Sequence, residues 1–399
     1  MSNPRRLLMS DPPVAAQYVV TFLKPEMLHV YRQITALRAW RPVVLCQKRQ
    51  CVEQFPFRDL QIVPKPRTHA LRRFWQKQIR GQPITIYRSE ALRLREELRR
   101  MNARVLHVYF GHIGVHLLPL LEIAGVPVIV SFHGADVQIE AAHLIHTQRM
   151  FALATLVLAR SASLADRLVA LGCAEGKVRV HRTGVPLGEI APHSRAAPVD
   201  GAWRCVQACR LIPKKGLATA LTGFARFAQK HPRATFTIAG EGPQLAELRV
   251  LAAHLGIADR VIFTGFLSQE KLRALYSESH LFLHPSELGP DGDQEGVPNS
   301  MLEAMASGLP VVATLHGGIP EAVEDYVSGR LVTERDAEGL AGALAEITAA
   351  PERYCAMGAA AAQGVAAEFD LAVQARRLEA IYDEAVAARD AERPFHRPH

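Results

Sequence analysis

At 399 residues the chain is longer than one hydrophobic core supports, and it is read as two domains of roughly 150 to 200 residues each. Hydrophobic residues make up 49% and charged residues 22%, a balance that excludes a disordered chain. The net charge of +8 is unevenly spread: residues 1 to 200 hold 28 Lys and Arg against 14 Asp and Glu (+14), and residues 201 to 399 hold 19 against 25 (−6), so the two halves differ in electrostatic character.

Particular stretches exclude more. The longest apolar run, 151–159, is far short of the about 20 residues that span a bilayer. Arg5 and Arg6 are followed by Asp11, Pro12 and Pro13 before any signal-like apolar stretch, so a cytoplasmic location is expected. The six cysteines, Cys46, Cys51, Cys173, Cys205, Cys209 and Cys355, contain no C-x-x-C pair, which argues against a metal centre or a disulfide framework.

In chain order, strands and helices alternate. A short apolar strand at 7–9 precedes helical periodicity over 22–37, strands at 42–46 and 60–63, and two basic helices near 71–79 and 90–101. A strand at 105–110, a helix at 112–124 closed by Gly125, and a buried strand at 128–132 follow, then strands at 155–159 and 178–181 around a helix at 163–171. Such alternation predicts a parallel sheet with helices on both faces, whose ligands bind beyond the C-terminal ends of the strands. His133 stands at such an end. Gly134 beside it permits close approach of a ligand, and Asp136 is placed to cap the next turn. A histidine is commonly structural, and this chain has 17, but the strand end favours a place in the cleft.

Between Arg38 and Arg104 lie 17 basic and 5 acidic residues. Within them Arg72, Arg73, Trp75 and Lys77 form a basic segment with interleaved aromatics, suited to an anionic membrane surface, an anionic acceptor or nucleic acid. The plainer reading is a solvated helix face.

The Pro- and Ala-rich stretch 188–201 is read as the linker between domains, and alternation resumes with a strand at 204–208. Arg210 and Lys215 then flank a strand-to-helix loop before a helix at 217–230. A guanidinium fork and a point charge there can clamp a diphosphate; alternatively Lys214 and Lys215 decorate a surface turn. A strand at 234–239 leads through Gly240-Glu241-Gly242-Pro243 into a helix at 244–255. This is not the dinucleotide fingerprint, because Leu245 holds the third glycine position and no acid ends the next strand at 261–263; a dehydrogenase is set aside.

A helix at 269–277 and a strand at 281–283 lead into GDQEGVPNSMLEAMASGLPVVAT, residues 292–314. Glu295 lies in its loop and Glu303 about a turn inside the helix 299–307, which the strand 311–314 follows. Two carboxylates at a helix N-terminus can accept hydrogen bonds from sugar hydroxyls, while free backbone N–H groups attract phosphate. Ser300 and Glu303 also fit a capping box, which is the bland reading. A helix opening at Gly317-Gly318-Ile319-Pro320-Glu321, a strand at 329–332 and an Ala-rich helical remainder over 337–389 complete the chain, the last helix being expected to cross back onto the first domain; 393–399 reads as a frayed tail.

Taken together, Glu295-x7-Glu303, Arg210 with Lys215-Gly216, Gly240-Glu241-Gly242-Pro243, His133-Gly134-x-Asp136 and Gly317-Gly318-x-Pro320-Glu321 resemble the retaining GT-B glycosyltransferases of family 4 (group 1), with wording closest to the bacterial exopolysaccharide, colanic-acid type. The resemblance runs from about 105 to 332. It implies an α/β fold of two Rossmann-like doubly wound domains facing across a cleft: 1–190 for the acceptor, 200–370 for the nucleotide sugar, and 371–399 as helix and tail packing on the first domain. It implies that Arg210 and Lys215 hold the donor diphosphate, Glu303 the ribose hydroxyls and Glu295 hydroxyls of the transferred sugar. His133 would face that sugar, with Gly242, Gly296, Val297, Pro298 and Asn299 completing the donor site. It implies a hexosyltransferase that uses a nucleotide sugar, UDP before GDP, without metal or other cofactor, on a glycan or lipid-linked acceptor. The basic first domain adds the expectation of peripheral contact with an anionic membrane, and nucleic acid is set aside as a partner because it leaves Glu295 and Glu303 unexplained. A GT-B epimerase or phosphorylase, or an inactive nucleotide-sugar-binding protein, is the alternative. Three positions depart from the family pattern: Cys209 before the phosphate arginine, Pro298 or Asn299 for a second glycine in the acidic loop, and Val14-Ala15-Ala16-Gln17 where a glycine-rich first loop is usual.

Overall fold

The computed structural model describes residues 11–24, 27–65, 79, 83–137, 143–290 and 292–392. The strand expected at 7–9, the tail from 393, and Arg72, Arg73, Trp75 and Lys77 lie outside the described residues.

Two parallel sheets, each sandwiched by helices, make the two domains. In the first, β1 (Val14–Tyr18), β3 (Arg41–Cys46), β5 (Leu60–Ile62), β6 (Ala103–Tyr109), β7 (Val128–Phe132), β8 (Leu156–Ala159) and β9 (Val178–Val180) stand in the order β5-β3-β1-β6-β7-β8-β9. Two short strands, β2 (Thr21–Phe22) and β4 (Lys48–Arg49), pair beside it. The second sheet holds β10 (Arg204–Ala208), β11 (Thr235–Ala239), β12 (Val261–Gly265), β13 (Leu281–His284), β14 (Val311–Thr314) and β15 (Gly329–Val332) in the order β12-β11-β10-β13-β14-β15. In each sheet the chain winds outward one way, returns, and winds out the other way. The reversal falls beside β1 in the first sheet and beside β10 in the second, and a ligand crevice opens at such a point.

The helices of the first domain are α1 (Leu28–Thr35), α2 (Arg88–Arg100), α3 (Gly111–His116), α4 (Leu118–Leu121), α5 (Leu144–Leu153) and α6 (Ala162–Ala170). Those of the second are α7 (Leu217–Lys230), α8 (Leu245–His254), α9 (Gln269–Glu278), α10 (Asn299–Ala306), α11 (Ala337–Thr348) and α12 (Pro351–Glu368), and α13 (Leu371–Glu392) ends the chain.

Four local expectations need correction. Val14 to Gln17 belong to the fully buried central strand β1, between β3 and β6, and do not replace a loop. Two alanines let the layers on either face approach closely, and Gln17 is satisfied there because its amide donates to the Tyr382 hydroxyl (3.1 Å) and accepts from Tyr109 (3.1 Å). The helix expected over 22–37 begins only at Leu28, since Phe22 is taken into β2. The helix expected over 112–124 divides at Leu117, because Pro119 lacks the N–H that would continue it. The helix expected after Gly317 is one 3-10 turn, Ile319–Glu321.

After α12 the chain crosses between domains at Asp370. Val185 N–H donates to Phe369 O (2.7 Å) and Leu371 N–H to Val185 O (2.9 Å), so the two crossing segments clamp one another. From there α13 lies across the first domain, burying Leu378, Tyr382 and Ala385 against Trp40 and the sheet. A large apolar side chain fully buried in this way contributes about 1.5–3 kcal/mol. Glu379 adds a directional anchor by accepting from the backbone N–H groups of Arg38 (2.5 Å), Ala39 (2.6 Å) and Trp40 (3.3 Å). The stretch 188–201 is docked on the second domain through Arg195, whose guanidinium donates to the carbonyls of Ser277, Ser279 and Ser307.

Candidate active site in the interdomain cleft

The loop after β10 is folded against the end of β13. Gly216 has φ +60° and an added Cβ would lie 1.7 Å from Pro285 O, so glycine alone fits the bend. The bend turns Lys214 and Lys215 inward and buries both, so they do not decorate a surface turn. Lys215 Nζ is bonded to Glu295, and Lys214 Nζ lies 2.8 Å from Asp293. Burial alone would raise the Glu295 carboxyl, but Lys215 and then Lys214 outweigh it and hold it down at about 2. Glu295 is therefore ionised at neutral pH. Arg210 at the start of the loop is exposed, and its guanidinium has no hydrogen bond or ion pair among the described residues. The Cys209 thiol beside it is pushed up to about 12 by burial and stays neutral. Gly242 packs this loop from the far side, where a Cβ would meet Leu211 O at 2.4 Å.

The acidic loop is pinned from behind. Glu295 N–H donates to His316 Nε2 (3.0 Å), which puts the imidazole proton on Nδ1, donated to Glu334 (2.6 Å). Gly317, at φ +54°, is the close neighbour: a Cβ there would lie 2.0 Å from Glu295 O. His284, beneath the loop, is held neutral at about 3 by burial and then by Lys215.

On α10 the capping box does not form. Ser300 Oγ donates to Ala208 O (2.6 Å), Pro298 stands at the N-cap with no side-chain cap, and the first-turn N–H groups keep their anion-attracting character. Val297 is buried beneath the turn, and the buried Asn299 Oδ1 has no partner among the described residues. Glu303 reaches across the cleft to Arg32 of α1 (2.6 Å), and Arg32 also donates to Gln269 (3.1 Å). The side chains of this interdomain pair are 12% and 7% exposed.

From the first domain, β7 is followed directly by His133, whose ring lies against Phe110 (4.5 Å between centroids) and His29 (5.2 Å). Burial first, then the charge of Arg160, pushes its pKa well below the ordinary value, so the imidazole is neutral. Asp136 acts on the turn, accepting from His133 N–H (3.0 Å) and pairing with His112 (2.9 Å). A Cβ on Gly134 would meet Gln294 O at 2.6 Å, so the His133 turn rests on the acidic loop.

The geometry thus gathers His133, Lys215, Glu295, Gly296 and Glu303 around one cleft, with Arg210 at the open end of the loop that carries Lys215. Sequence reasoning missed Arg32, Asp293, His316 and Glu334. Asp293 and His316 sit beside recognised motifs, whereas Arg32 is an ordinary helix arginine with no local signal. Among the described residues no cluster of three or more His, Cys, Asp or Glu could hold a metal ion, and no described helix is long and apolar enough to cross a membrane.

Comparison with known proteins agrees with this architecture. A family profile described as "Glycosyl transferases group 1" matches residues 195–364, and one described as "Glycosyltransferase Family 4" matches 28–189. The chain is 34% identical over 286 residues to the amylovoran biosynthesis glycosyltransferase AmsK of Erwinia amylovora, covering 70% of each protein. It is 36% identical over 248 residues to WcaL of Escherichia coli (strain K12), provisionally named a colanic acid biosynthesis glycosyltransferase; that match spans 61% of each chain, so less than two thirds of the relative's length. Among solved structures, Anabaena HepE in complex with UDP superposes with a TM-score of 0.73 at 18% identity, covering 93% of this chain and all of that one.

Proposed function

The chain belongs to the group 1 glycosyltransferases of family 4, and on that premise we propose that it moves a hexose from a nucleoside-diphosphate sugar to a hydroxyl of a polysaccharide, lipopolysaccharide or lipid-linked acceptor, with retention of anomeric configuration. The observation that carries this reading is the convergence of Lys215, Glu295 and Glu303 on the N-terminal end of α10, against the His133 turn of the other domain.

In this reading Arg210, Lys215 and the first turn of α10 hold the diphosphate; their charges stabilise it as it leaves, in the role a metal ion would otherwise fill. Gly242, Gly296, Val297, Pro298 and Asn299 shape that pocket. Ribose hydroxyls donate to Glu303 in exchange for Arg32, and hydroxyls of the transferred sugar donate to Glu295, which stays ionised beside Lys215. The bond from the anomeric carbon to the diphosphate oxygen breaks with its electron pair on that oxygen. The acceptor hydroxyl attacks the same face, and its proton passes to the departing diphosphate. Contact of the His133 turn with the acidic loop excludes water during the step. HepE was crystallised with UDP, and UDP is the nucleotide to try first here. The basic segment with Arg72, Arg73, Trp75 and Lys77 is assigned to an acceptor at an anionic membrane surface; Arg72→Glu with Arg73→Glu should weaken liposome binding and leave nucleotide affinity unchanged.

Thermal melting with UDP, GDP, ADP and dTDP tests the reading, in the wild type and in Glu303→Ala. Ligand at 100 times its Kd adds about 2.7 kcal/mol, a shift of several degrees. A selective shift that Glu303→Ala weakens supports the site; no shift with any nucleotide sinks it. Transfer that persists in excess EDTA is expected, and its loss would show that a metal takes part.

A further inference from the structure

One guanidinium of the first domain is buried without an acid. Arg160 follows β8 directly, and because Ala159 pairs with Phe132 on one side and Val180 on the other, Arg160 stands next to His133 and His181 at the C-terminal end of the sheet. It is 5% exposed. Its NH1 group lies 3.2 Å from His181 Nδ1 and 3.5 Å from His181 O, while Nε and NH2 are buried with no partner among the described residues. The titratable groups that face it are Tyr109 and Tyr382, with His107, His133 and His181; no carboxylate is among them, and Asp136 on the His133 turn is already taken up by His133 N–H (3.0 Å) and His112 (2.9 Å). His181 turns its other nitrogen to Gln374 O (3.0 Å), and His107 is engaged by Tyr382 (2.8 Å) and Ser131 (2.5 Å). His133 Nε2, by contrast, is buried with no partner among the described residues.

A buried charge without a counter-ion costs several kcal/mol, and a fold that keeps one does so where something else meets it. Here the two unmatched groups lie side by side, and the His133 turn touches the acidic loop that carries Glu295. We propose that Arg160 and His133 form an anion subsite at the cleft end of the first sheet, which takes the carboxylate of a uronic-acid sugar. Two open guanidinium nitrogens offer the fork that matches two carboxylate oxygens, with His133 Nε2–H as a third donor. A single negative charge neutralises the site, whereas a phosphate dianion would leave it overcharged among neutral imidazoles and phenols. The subsite rests on the nucleotide-sugar reading, and the acid belongs either to the donor or to the acceptor.

Titration calorimetry on the full chain separates these sources. One arm compares UDP-glucuronate with UDP-glucose, or GDP-mannuronate with GDP-mannose if GDP is the nucleotide bound. The other compares a glucuronate-terminated oligosaccharide with its neutral counterpart while the nucleotide is present. The expected result is a preference of about tenfold or more for the acidic form in one arm. Arg160→Met should abolish the preference and Arg160→Lys should keep part of it, with UDP or GDP affinity unchanged in both. Equal affinity in both arms, or a preference that survives Arg160→Met, overturns the subsite and leaves the nucleotide reading standing. No binding of either nucleotide by the wild type overturns that reading and the subsite with it. Melting of the ligand-free variant is the control: Arg160→Met should leave the midpoint unchanged or raise it, and a fall of several degrees would assign Arg160 to holding the fold and overturn the subsite.

Discussion

On the second domain's side of the cleft the buried lysines meet carboxylates, Lys215 on Glu295 and Lys214 on Asp293, whereas on the first domain's side Arg160 is buried among imidazoles and phenols. In the proposed reading the paired side works by exchange: an arriving diphosphate would give Lys215 a second anion while Glu295 turned to hydroxyl donors, leaving no charge bare. The unpaired side is built for addition, since only an incoming anion completes it. Glu303 spans the two: it sits on the second domain and is neutralised by Arg32 of the first.

The largest effect that would break this contrast is at Lys215. Lys215→Ala leaves Glu295 without its main counter-charge and the diphosphate without a clamp, and transfer of labelled sugar should fall by about 10² to 10³-fold; a variant within tenfold of wild type would take Lys215 out of the diphosphate site. Next in size is the anchor of α13. Glu379→Ala strands three backbone N–H groups at 38–40 and should cost about 1–3 kcal/mol, read in denaturant melts. An unchanged midpoint would mean that apolar burial alone seats the helix.

A smaller effect is set by pH. Burial first, then the charge of Arg160, holds His181 down at about 3, against an ordinary 6.5 in the unfolded chain. The unfolded state therefore binds more protons between those values, so this contribution is complete above about 6.5 and is lost as pH falls towards 3. Melting temperature should drop between pH 7 and 5, and His181→Gln should flatten the slope; a midpoint that rises on acidification in this window would contradict the neutral cluster. The smallest effect is at Arg32. Arg32 occupies Glu303, which the proposed function gives to the ribose hydroxyls, so on that reading Arg32→Ala should tighten nucleotide binding by on the order of threefold. Weaker binding would mean that Arg32 touches the donor itself.

Much of the second domain was legible from spacing. α7 and β14 fall where periodicity placed them, and the loops with Arg210, Lys215 and Glu295, and α10 with Glu303, stood out in the sequence because each belongs to a short local motif that follows a strand. β1 was not legible, since VAAQY has one β-branched residue and a glutamine whose partners lie on β6 and α13. The capping-box reading of Ser300 and Glu303 failed for a similar reason: both side chains found partners outside their own helix.

The alternation of apolar strands and helices, with Gly and Pro between, was enough to determine two parallel sheets and the strand ends where ligands gather, because those features depend on neighbours a few residues away. Only the tertiary structure decided which charges meet. Arg32 and Glu303 are 271 residues apart and pair because two domains close face to face, and Arg160 is left without an acid because adjacent strand ends and α13 bring only imidazoles and phenols to it. Charge pairing is a property of distances in space, and spacing along the chain carries it only when the partners share a loop.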